Sequence, residues 1–284
     1  MIRRAISVES ILELELFNLA VASLTLSFIL FHYLCNVNKN IFSRAELLLG
    51  SEAMERMAQK RVAVFGVGGV GSWCAESLVR TGIGHLMLVD ADRVAVSNIN
   101  RQLMATTLTV GRPKTEALRE RLLTINPEAD IRAVQNIFCE ETAEEFDLDS
   151  FDYVIDAIDS LKDKALLLLR TCRSRAKLFA SMGAALKLDP TRIRVAEFRR
   201  IEGDPLARAL RKKFKNWGEW PERRFLCVYS DELLANQNLP QPQESDAPLL
   251  YNKVQTNGSL AHITAIFGFT LAGLVVQDIC NASR

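Results

Sequence analysis

A chain of 284 residues that is 49% hydrophobic and 24% charged has enough apolar surface for one large or two modest domains. Its formal net charge of +1 excludes a whole-molecule attraction to nucleic acid or anionic membrane, so such contacts would need a local patch. The six cysteines form no C-x-x-C pair, which argues against a zinc knuckle or a disulfide framework and favours a reducing cytoplasm.

Residues 1–40 do not resemble the rest of the chain. Residues 16–35 form a mostly apolar run, and at about 1.5 Å per residue a helix of this length just crosses a bilayer. No small-residue cleavage site follows, which argues against a signal peptide. Three interpretations stay open: a membrane anchor that makes the protein membrane-associated, an extra helix docked on the domain, and a segment added by an upstream start codon. The main domain is expected to span residues 41–284.

The main domain is predicted to open with one helix over residues 42–60. Ser43 is the expected N-cap, and Glu46 three residues later completes a capping box. The expected apolar face of this helix has four members: Leu47, Leu48, Met54 and Met57.

A strand, a glycine-rich turn and a helix follow. Residues 62–65 are a short apolar run rich in β-branched side chains, which indicates a buried parallel strand. The turn contains Gly66, Gly68, Gly69 and Gly71 in a G-x-G-x-x-G pattern, and residues 72–79 continue with helical spacing. The glycines let phosphate oxygens approach the backbone, and the helix start favours an anion.

Polar residues follow the second predicted strand, residues 86–89. Asp90 ends that strand, where a mononucleotide fold places the carboxylate that binds ribose hydroxyls. Asp92, Asn98 and Arg101 lie in the loop that follows. Lys114 begins a predicted helix, where a cation is unfavourable for the helix dipole and therefore suggests another role.

Strands and helices continue to alternate. Further strands are predicted at residues 131–134, 153–155, 177–181 and 192–200, with a helix over 161–172 that Asp159 or Ser160 caps. This order predicts a doubly wound, mostly parallel α/β fold of the Rossmann-like type. Its ligand should lie beyond the carboxyl ends of the strands, where Asp90, Asp159 and the glycine turn meet.

The C-terminal half contains a basic stretch and a second apolar run. Residues 187–224 hold 12 Lys and Arg against 6 Asp and Glu, together with Phe214, Trp217 and Trp220. This composition fits a nucleic-acid surface and equally an ordinary solvated face. Residues 236–248 are predicted to be a polar loop. Residues 260–279 are predicted to form a buried helix that closes the domain, with a membrane span as the alternative. His262 is expected to be a core histidine rather than a ligand.

The glycine turn and Asp90 fit a nicotinamide enzyme as readily as an ATP enzyme. Arg101 and Lys114 flank the same edge and Asp159 follows the fourth strand, so cations and a carboxylate are available for a triphosphate and magnesium. This set favours phosphoryl or nucleotidyl chemistry over hydride transfer.

Taken together, five segments resemble the ThiF/MoeB superfamily of adenylating enzymes. They are Gly66–Gly71, Asp90–Asp92, Asn98–Gln102, Lys114 and Asp156–Asp159. Within it the chain is most similar to the branch of tRNA threonylcarbamoyladenosine dehydratases, on four segments: residues 80–84, 154–160, 204–207 and 225–230. That branch also lacks the paired C-x-x-C zinc site of sulfur-carrier-activating enzymes. The likeness covers about residues 41–276 and leaves out the first 40.

The resemblance implies roles for single residues. The glycine turn would hold ATP phosphates, with Asp90 on the ribose and Arg101 and Lys114 neutralising the triphosphate. Asp159 would hold Mg²⁺. The full nucleotide set implied is Gly66, Gly68, Gly69, Gly71, Asp90, Asp92, Asn98, Arg101, Lys114 and Ser160. Arg44 matches an arginine that the family supplies from a partner subunit, which implies a homodimer. Cys227 lies where this branch carries a cysteine near the nucleotide, as a functional or a packing residue.

The implied reaction adenylates the carboxylate of threonylcarbamoyladenosine in tRNA and then closes a ring with loss of AMP. Adenylation of the C-terminus of a ubiquitin-like sulfur carrier is the alternative, and sulfur-transfer partner proteins stay open with it. A non-catalytic or membrane-tethered binding module and a nicotinamide oxidoreductase are the remaining alternatives.

Overall fold

The computed structural model describes residues 41–238 and 257–281, together with positions 19–21, 23 and 25. The apolar run at residues 16–35 therefore lies almost wholly outside the described residues, and so does most of the polar loop predicted at 236–248. The predictions of a membrane anchor and of a docked N-terminal helix stay predictions.

The described part of the chain forms one seven-stranded sheet in the order β3-β2-β1-β4-β5-β7-β6. The strands are β1 (Arg61–Phe65), β2 (His85–Val89), β3 (Asp130–Val134), β4 (Tyr153–Asp156), β5 (Lys177–Ser181), β6 (Ile193–Glu197) and β7 (Leu226–Ser230). All neighbouring pairs are parallel except β6 with β7. The predicted doubly wound, mostly parallel fold is confirmed.

Helices cover both faces of the sheet. They are α1 (Ser43–Leu49), α2 (Ser51–Gln59), α3 (Gly71–Arg80), α4 (Lys114–Leu123), α5 (Leu161–Arg173), α6 (Pro205–Trp217) and α7 (Ala261–Asn281). Alternate residues of β1 enter separate cores, because side chains alternate between the faces of a strand. Val62 and Val64 pack with α3, α4 and α7, whereas Ala63 and Phe65 pack with α5 and α6.

The single helix predicted over residues 42–60 is wrong. Gly50, at φ +82°, separates α1 from α2. The capping box is also wrong: Phe42 is the N-cap, and Glu46 instead accepts a hydrogen bond from Ser51.

The apolar face predicted for this segment is only half right. Met57 is fully buried and Met54 is half-buried. Leu47 and Leu48 are 88% and 83% exposed. The turn at Gly50 points α1 away from the core that α2 joins, so the two leucines have no neighbour within the described residues that buries them.

The C-terminal helix α7 closes the domain, as predicted. It packs closely on α3: a Cβ on Gly268 would lie 2.5 Å from the carbonyl oxygen of Val70. Among the described residues α7 is also long and apolar enough to cross a membrane, but half of that window is buried in the domain, and a buried core helix passes the same test. His262 is exposed, with Nε2 3.0 Å from the Leu188 carbonyl oxygen, so its assignment as a core histidine is wrong.

The basic stretch contributes regular elements to the domain. Its strand is shorter than the predicted 192–200: β6 ends at Glu197, and a 3₁₀ turn covers Phe198–Arg200. Helix α6 was not predicted, although Asp204 caps it by accepting from the Ala207 N–H at 2.8 Å and Pro205 begins it. An Asp-Pro pair before an apolar periodic run is a helix-start signal that could have located it.

Candidate active site

The sequence-predicted site residues after β1, β2 and β4 converge on the carboxyl edge of the sheet. The glycine turn follows β1, Asp90 follows β2 and the segment Ala157–Ser160 follows β4. Strands β2, β1 and β4 are adjacent, and the chain order reverses between β1 and β4. Such a switch point opens a crevice in which doubly wound folds bind ligands.

Neighbouring segments pack closely against two of the glycines in the turn. Gly66 has φ +83°, and a Cβ there would lie 2.7 Å from the Ala157 carbonyl oxygen. A Cβ on Gly69 would lie 3.1 Å from Thr264 Cγ2 of α7. Gly68 is different, since a Cβ there would meet only the Gln102 amide at 3.7 Å. Gly66 is therefore required by packing and by its backbone angle, and a side chain at Gly69 would press on Thr264, whereas Gly68 leaves bare backbone toward the crevice.

Helix α3 begins directly after this turn and has no side-chain cap at its N-terminus. Its Ser72 hydroxyl instead donates to the Gly68 carbonyl at 2.6 Å and accepts from the Leu103 N–H at 3.2 Å. The positive end of the helix dipole thus faces the crevice without a protein carboxylate to neutralise it. This arrangement suits phosphate oxygens.

Asp90 ties the glycine turn to the end of β2. Its Oδ2 accepts from the Val67 N–H and its Oδ1 from the Asp92 N–H, both at 2.9 Å. Burial raises the pKa of Asp90, and the nearby ammonium of Lys114 and the two N–H groups oppose that shift. Each carboxylate oxygen has a second lone pair, so the group can also accept from ribose hydroxyls.

Lys114 reaches the site from the first turn of α4. Its Nζ lies 2.7 Å from Asp92 Oδ2 and 4.0 Å from Asp90 Oδ1, and the side chain is buried. Its backbone N–H donates to the Asp92 carbonyl at 3.1 Å, which fixes the helix start against the loop after β2. The unfavourable position of this cation on its helix is therefore compensated by two carboxylates.

Arg101 lies in the loop after β2 and Asp159 in the loop after β4, at the same edge of the sheet. Burial lowers the pKa of the Arg101 guanidinium, and the carboxylate of Asp159 opposes that shift. The Arg101 carbonyl accepts from Trp73 Nε1 at 3.1 Å, and its guanidinium donates to the Ser97 carbonyl at 2.9 Å. The arginine is thus anchored at both ends.

The side chains of Asn98 and Ser160 accept hydrogen bonds from backbone N–H groups around the site. Asn98 Oδ1 accepts from the Ala95 N–H at 3.1 Å and shapes the loop before Arg101. Ser160 is the N-cap of α5, with Oγ accepting from the Asp163 N–H at 3.5 Å. Of the two caps considered for this helix, Ser160 is the one observed.

Gln102 was not assigned to the site from the sequence. Its side chain is buried beside Gly68, and within the described residues its Oε1 has no hydrogen-bond partner. A buried amide with a free acceptor beside a phosphate-binding turn is a candidate ligand contact. The only sequence signal was its place in the polar loop after Asn98.

Cys227 is fully buried in β7 and belongs to the core that α5 and α6 cover. Burial raises the pKa of its thiol well above the ordinary value. A reactive cysteine needs an accessible, readily ionised thiol. The structure therefore favours the packing role over the catalytic one.

Arg44 lies on the exposed surface of α1, which buries no residue of its own within the described chain. It is not brought together with the other site residues in the crevice by any hydrogen bond or ion pair in the described part of the chain.

Magnesium fits this edge only when it is shared with a bound nucleotide. No group of three or more His, Cys, Asp or Glu in the described residues could hold a metal. Asp159 is a single exposed carboxylate beside the crevice. Mg²⁺ commonly takes one or two carboxylates and completes its shell with substrate phosphates and water, so one carboxylate at this point suffices.

A family model described as ThiF matches residues 42–283. The chain belongs to the ThiF family. The ThiF family match covers the whole described domain from α1 to α7 and excludes the first 41 residues. The predicted likeness to adenylating enzymes of this type is thereby confirmed.

The chain is similar to named members of the ThiF family. It is 37% identical over 240 residues to the tRNA threonylcarbamoyladenosine dehydratase of Bacillus subtilis (strain 168), covering 84% of this chain and 94% of the relative. It also matches crystal structures of E. coli tRNA N6-threonylcarbamoyladenosine dehydratase, TcdA, in complex with AMP and with ATP. Both have a TM-score of 0.74 and cover 85% of this chain and 94% of the other, at 34% and 32% identity.

Proposed function

We propose that this protein is an ATP-dependent tRNA-modifying enzyme, a dehydratase that adenylates the carboxylate of threonylcarbamoyladenosine and promotes its cyclisation. One observation carries the proposal: the glycine turn, the cations Lys114 and Arg101 and the carboxylate Asp159 lie at one edge of the sheet. The chain is also similar to a dehydratase over 94% of that relative's length. The E. coli structures in complex with ATP and AMP support the choice of nucleotide.

The first step joins the substrate to AMP. A carboxylate oxygen of the modified base attacks the α-phosphorus of ATP, and the bond to the bridging oxygen breaks to release pyrophosphate. The backbone at Gly68 and the start of α3 bind phosphate oxygens, while Lys114 and Arg101 offset the charge that develops on them. Asp159 would hold Mg²⁺, which when bound supplies further neutralisation of the phosphates.

The second step closes a ring. A nucleophilic atom of the same modification attacks the acyl carbon, the carbon–oxygen bond to AMP breaks with its electron pair, and the nucleophile loses its proton to solvent. Attack within one molecule is effective because the two groups are already held together. No protein nucleophile is needed, in agreement with a buried Cys227.

The tRNA backbone would lie on the outer face of α6. Arg208, Lys212 and Lys215 are exposed there and make no hydrogen bond or ion pair within the described chain. Helix α6 begins at the site edge, because its cap Asp204 lies beside Gly183 at the end of β5. A cationic stripe that starts at the site and leads away from it suits an anticodon stem whose modified base enters the crevice.

Not all of the basic stretch is available for this contact. Lys187 is buried and donates to the carbonyls of Ser230 and Glu232 at 3.0 and 2.6 Å. Arg223 donates to carbonyls at the end of α5. Trp217 and Trp220 are 43% and 38% exposed and lie under Lys213 and Arg199.

A homodimer is proposed in which Arg44 enters the partner's site. Exposed Leu47 and Leu48 on the same helix support it, since neighbouring large apolar side chains suit burial in an interface. Mixing an Arg44→Ala chain with an Asp159→Ala chain should restore part of the activity in verified mixed dimers. Absence of rescue would remove this role for Arg44.

Mass spectrometry of nucleosides tests the function. tRNA that carries threonylcarbamoyladenosine is incubated with the protein, ATP and Mg²⁺, and loss of one water from the modified nucleoside is expected, with AMP and pyrophosphate formed. Unmodified tRNA is the control and should support no AMP formation. ATP consumption that depends on a small sulfur-carrier protein instead of modified tRNA would overturn the proposal in favour of the sulfur-carrier alternative.

A further inference from the structure

Asp156 is a buried charge in an otherwise apolar row of the sheet. The strand registers align Phe65, Asp156, Ala180 and Cys227 across β1, β4, β5 and β7. Phe65, Ala180 and Cys227 belong to the core that α5 covers. A carboxylate in such a row is costly unless it is paired, so its presence requires a partner.

The partner is Lys164 of α5. Its Nζ lies 2.7 Å from Asp156 Oδ2, and both side chains are 0% exposed. Burial raises the pKa of Asp156, while the Lys164 ammonium lowers it. A well-packed apolar pair would do as well for stability, because desolvation of two charges largely offsets their attraction. Stability alone therefore does not account for this pair.

Both members of the pair bind the same residue of the loop after β4. Asp156 Oδ1 accepts from the Ile158 N–H at 3.1 Å, and Lys164 Nζ donates to the Ile158 carbonyl at 3.1 Å. The loop is also held before and after this point: the Ala157 N–H donates to the Phe65 carbonyl at 2.8 Å, and the Lys164 N–H donates to the Ser160 carbonyl at 2.9 Å.

Asp159 lies between these fixed points and is itself exposed. Before it, Ile158 cannot move without breaking hydrogen bonds to two buried charges, and such bonds contribute about 1.5–3 kcal/mol each. After it, Ser160 is held by the first backbone hydrogen bond of α5. The backbone that carries Asp159 is thus held at a set position at the carboxyl edge of the sheet.

We propose that the buried Asp156–Lys164 pair is a positioning device that clamps Ile158 and thereby aims Asp159 at the metal-bound phosphates of the nucleotide. This inference rests on the proposed function for the identity of the ligand. It assigns roles to Asp156 and Lys164, which are both fully buried, and explains why a carboxylate at the last position of β4 is followed by another three residues later.

Hydrogen–deuterium exchange of the ligand-free protein tests the clamp directly. Lys164→Met removes the charge at similar length, and Leu168→Ala, in the same helix and fully buried, is the matched control for lost stability. Exchange in residues 157–160 should rise about 10-fold or more in Lys164→Met, the equivalent of one such hydrogen bond. The same rise in Leu168→Ala, measured at equal global stability, would overturn the proposal.

Binding of ATP provides the second readout. In Lys164→Met the Mg²⁺ concentration that half-saturates ATP binding should rise about 10-fold, whereas the affinity for metal-free ATP changes little, because only Asp159 is displaced. A loss that is equal with and without Mg²⁺ would refute a role in aiming Asp159.

The double variant Asp156→Asn/Lys164→Met separates the clamp from an unpaired buried charge. It should recover much of the unfolding temperature lost in Lys164→Met, because no lone charge stays buried. The Mg²⁺ concentration that half-saturates ATP binding should stay raised, because the Ile158 carbonyl still lacks its donor. Recovery of both would contradict the proposal.

Failure of the proposed function and failure of the positioning role can be told apart. If the wild-type chain does not convert modified tRNA, the function is lost whatever the exchange result. If it does convert modified tRNA while Lys164→Met behaves like Leu168→Ala, only the positioning role is lost.

Discussion

The carbonyl oxygen of Gly66 occupies the space that a side chain at position 71 would need: a Cβ on Gly71 would lie 1.9 Å from it. Gly66 in turn lies against Ala157, so the turn after β1 and the loop after β4 are in direct contact. The two walls of the crevice therefore depend on the absence of two side chains.

Gly71→Ala should consequently disrupt the turn. The first turn of α3 must shift to relieve the overlap, and we expect a loss of stability of about 2 kcal/mol or more, in the range of strained backbone substitutions, together with loss of ATP binding. Chemical denaturation and calorimetric titration with ATP measure the two effects.

Gly273→Ala is the matched control for this substitution. Gly273 lies in α7, where a Cβ would meet nothing within 4 Å. Alanine is the better helix former, so stability should stay equal or rise by up to about 1 kcal/mol. Equal effects of the two substitutions would contradict the steric argument.

Lys114→Met should impair the chemistry, and some stability should be lost as well because Asp90 and Asp92 lose their cation. The variant keeps the length of the side chain but removes the cation beside Asp92. Loss of one electrostatic contact to the reacting phosphates should lower kcat/KM by about 10²–10³-fold. Pyrophosphate release with modified tRNA is the measurement.

Lys60→Met is the control for the removal of a lysine ion pair. Lys60 lies 2.6 Å from Asp152 at the opposite edge of the sheet. A partly exposed ion pair contributes at most about 1 kcal/mol, so kcat/KM should change by less than about fivefold. A comparable loss in both variants would remove the assignment of Lys114 to the phosphates.

Glu76 should make part of the stability pH-dependent. Burial raises the pKa of Glu76, but hydrogen bonds from Arg121 at 2.6 Å and Arg80 at 2.8 Å outweigh it, so the net pKa lies below the ordinary 4.5. A carboxyl with a lowered folded pKa stabilises above its unfolded pKa, and the contribution is lost as pH falls through the folded pKa.

Glu76→Gln should accordingly cost about 1–2 kcal/mol at pH 7, and the difference from wild type should shrink below pH about 4.5. Urea unfolding at several pH values measures this. Glu116→Gln, at a residue of α4 whose side chain is 47% exposed, should change stability by less than about 0.5 kcal/mol throughout. A constant difference for Glu76→Gln across the range would show that charge is not its source.

Reversal of charge on α6 should weaken tRNA binding. Arg208→Glu/Lys212→Glu replaces two exposed cations of one helix face by carboxylates that repel phosphate, so the affinity for tRNA should fall about tenfold or more. The slope of the logarithm of the binding constant against the logarithm of the salt concentration should decrease by the equivalent of about 1–2 phosphate contacts. Filter binding at several salt concentrations is suitable. Arg132→Glu/Arg175→Glu makes the same charge change at exposed sites elsewhere, and an equal loss there would indicate a general charge effect only.

Several parts of the fold follow from short-range patterns. The β-branched run before Gly66 and the alternation of strands with helices predicted the doubly wound sheet, because steric limits on strands and turns act over a few neighbouring residues. The positions of Asp90 and Asp159 at one edge followed from the parallel order of their strands.

Longer-range properties could not be predicted in this way. Lys187 counts as a cation in the composition, yet it is buried because carbonyls more than 40 residues away accept from it. The apolar pattern predicts a core position for Leu47, but the turn at Gly50 directs α1 away from the core and leaves Leu47 exposed. The start signal of α6, the cap Asp204 followed by Pro205, lies in a stretch whose basic composition by itself indicates no secondary structure.

The sequence by itself determined the sheet, the phosphate turn and the kind of chemistry they serve, since each is encoded by residues close together in the chain. Only the tertiary structure decided that Cys227 is enclosed, that His262 is exposed and that Lys164 lies against Asp156. The reason is physical: burial and pairing depend on which distant segments come into contact, and the same side chain has a different charge state and a different role once its surroundings are fixed.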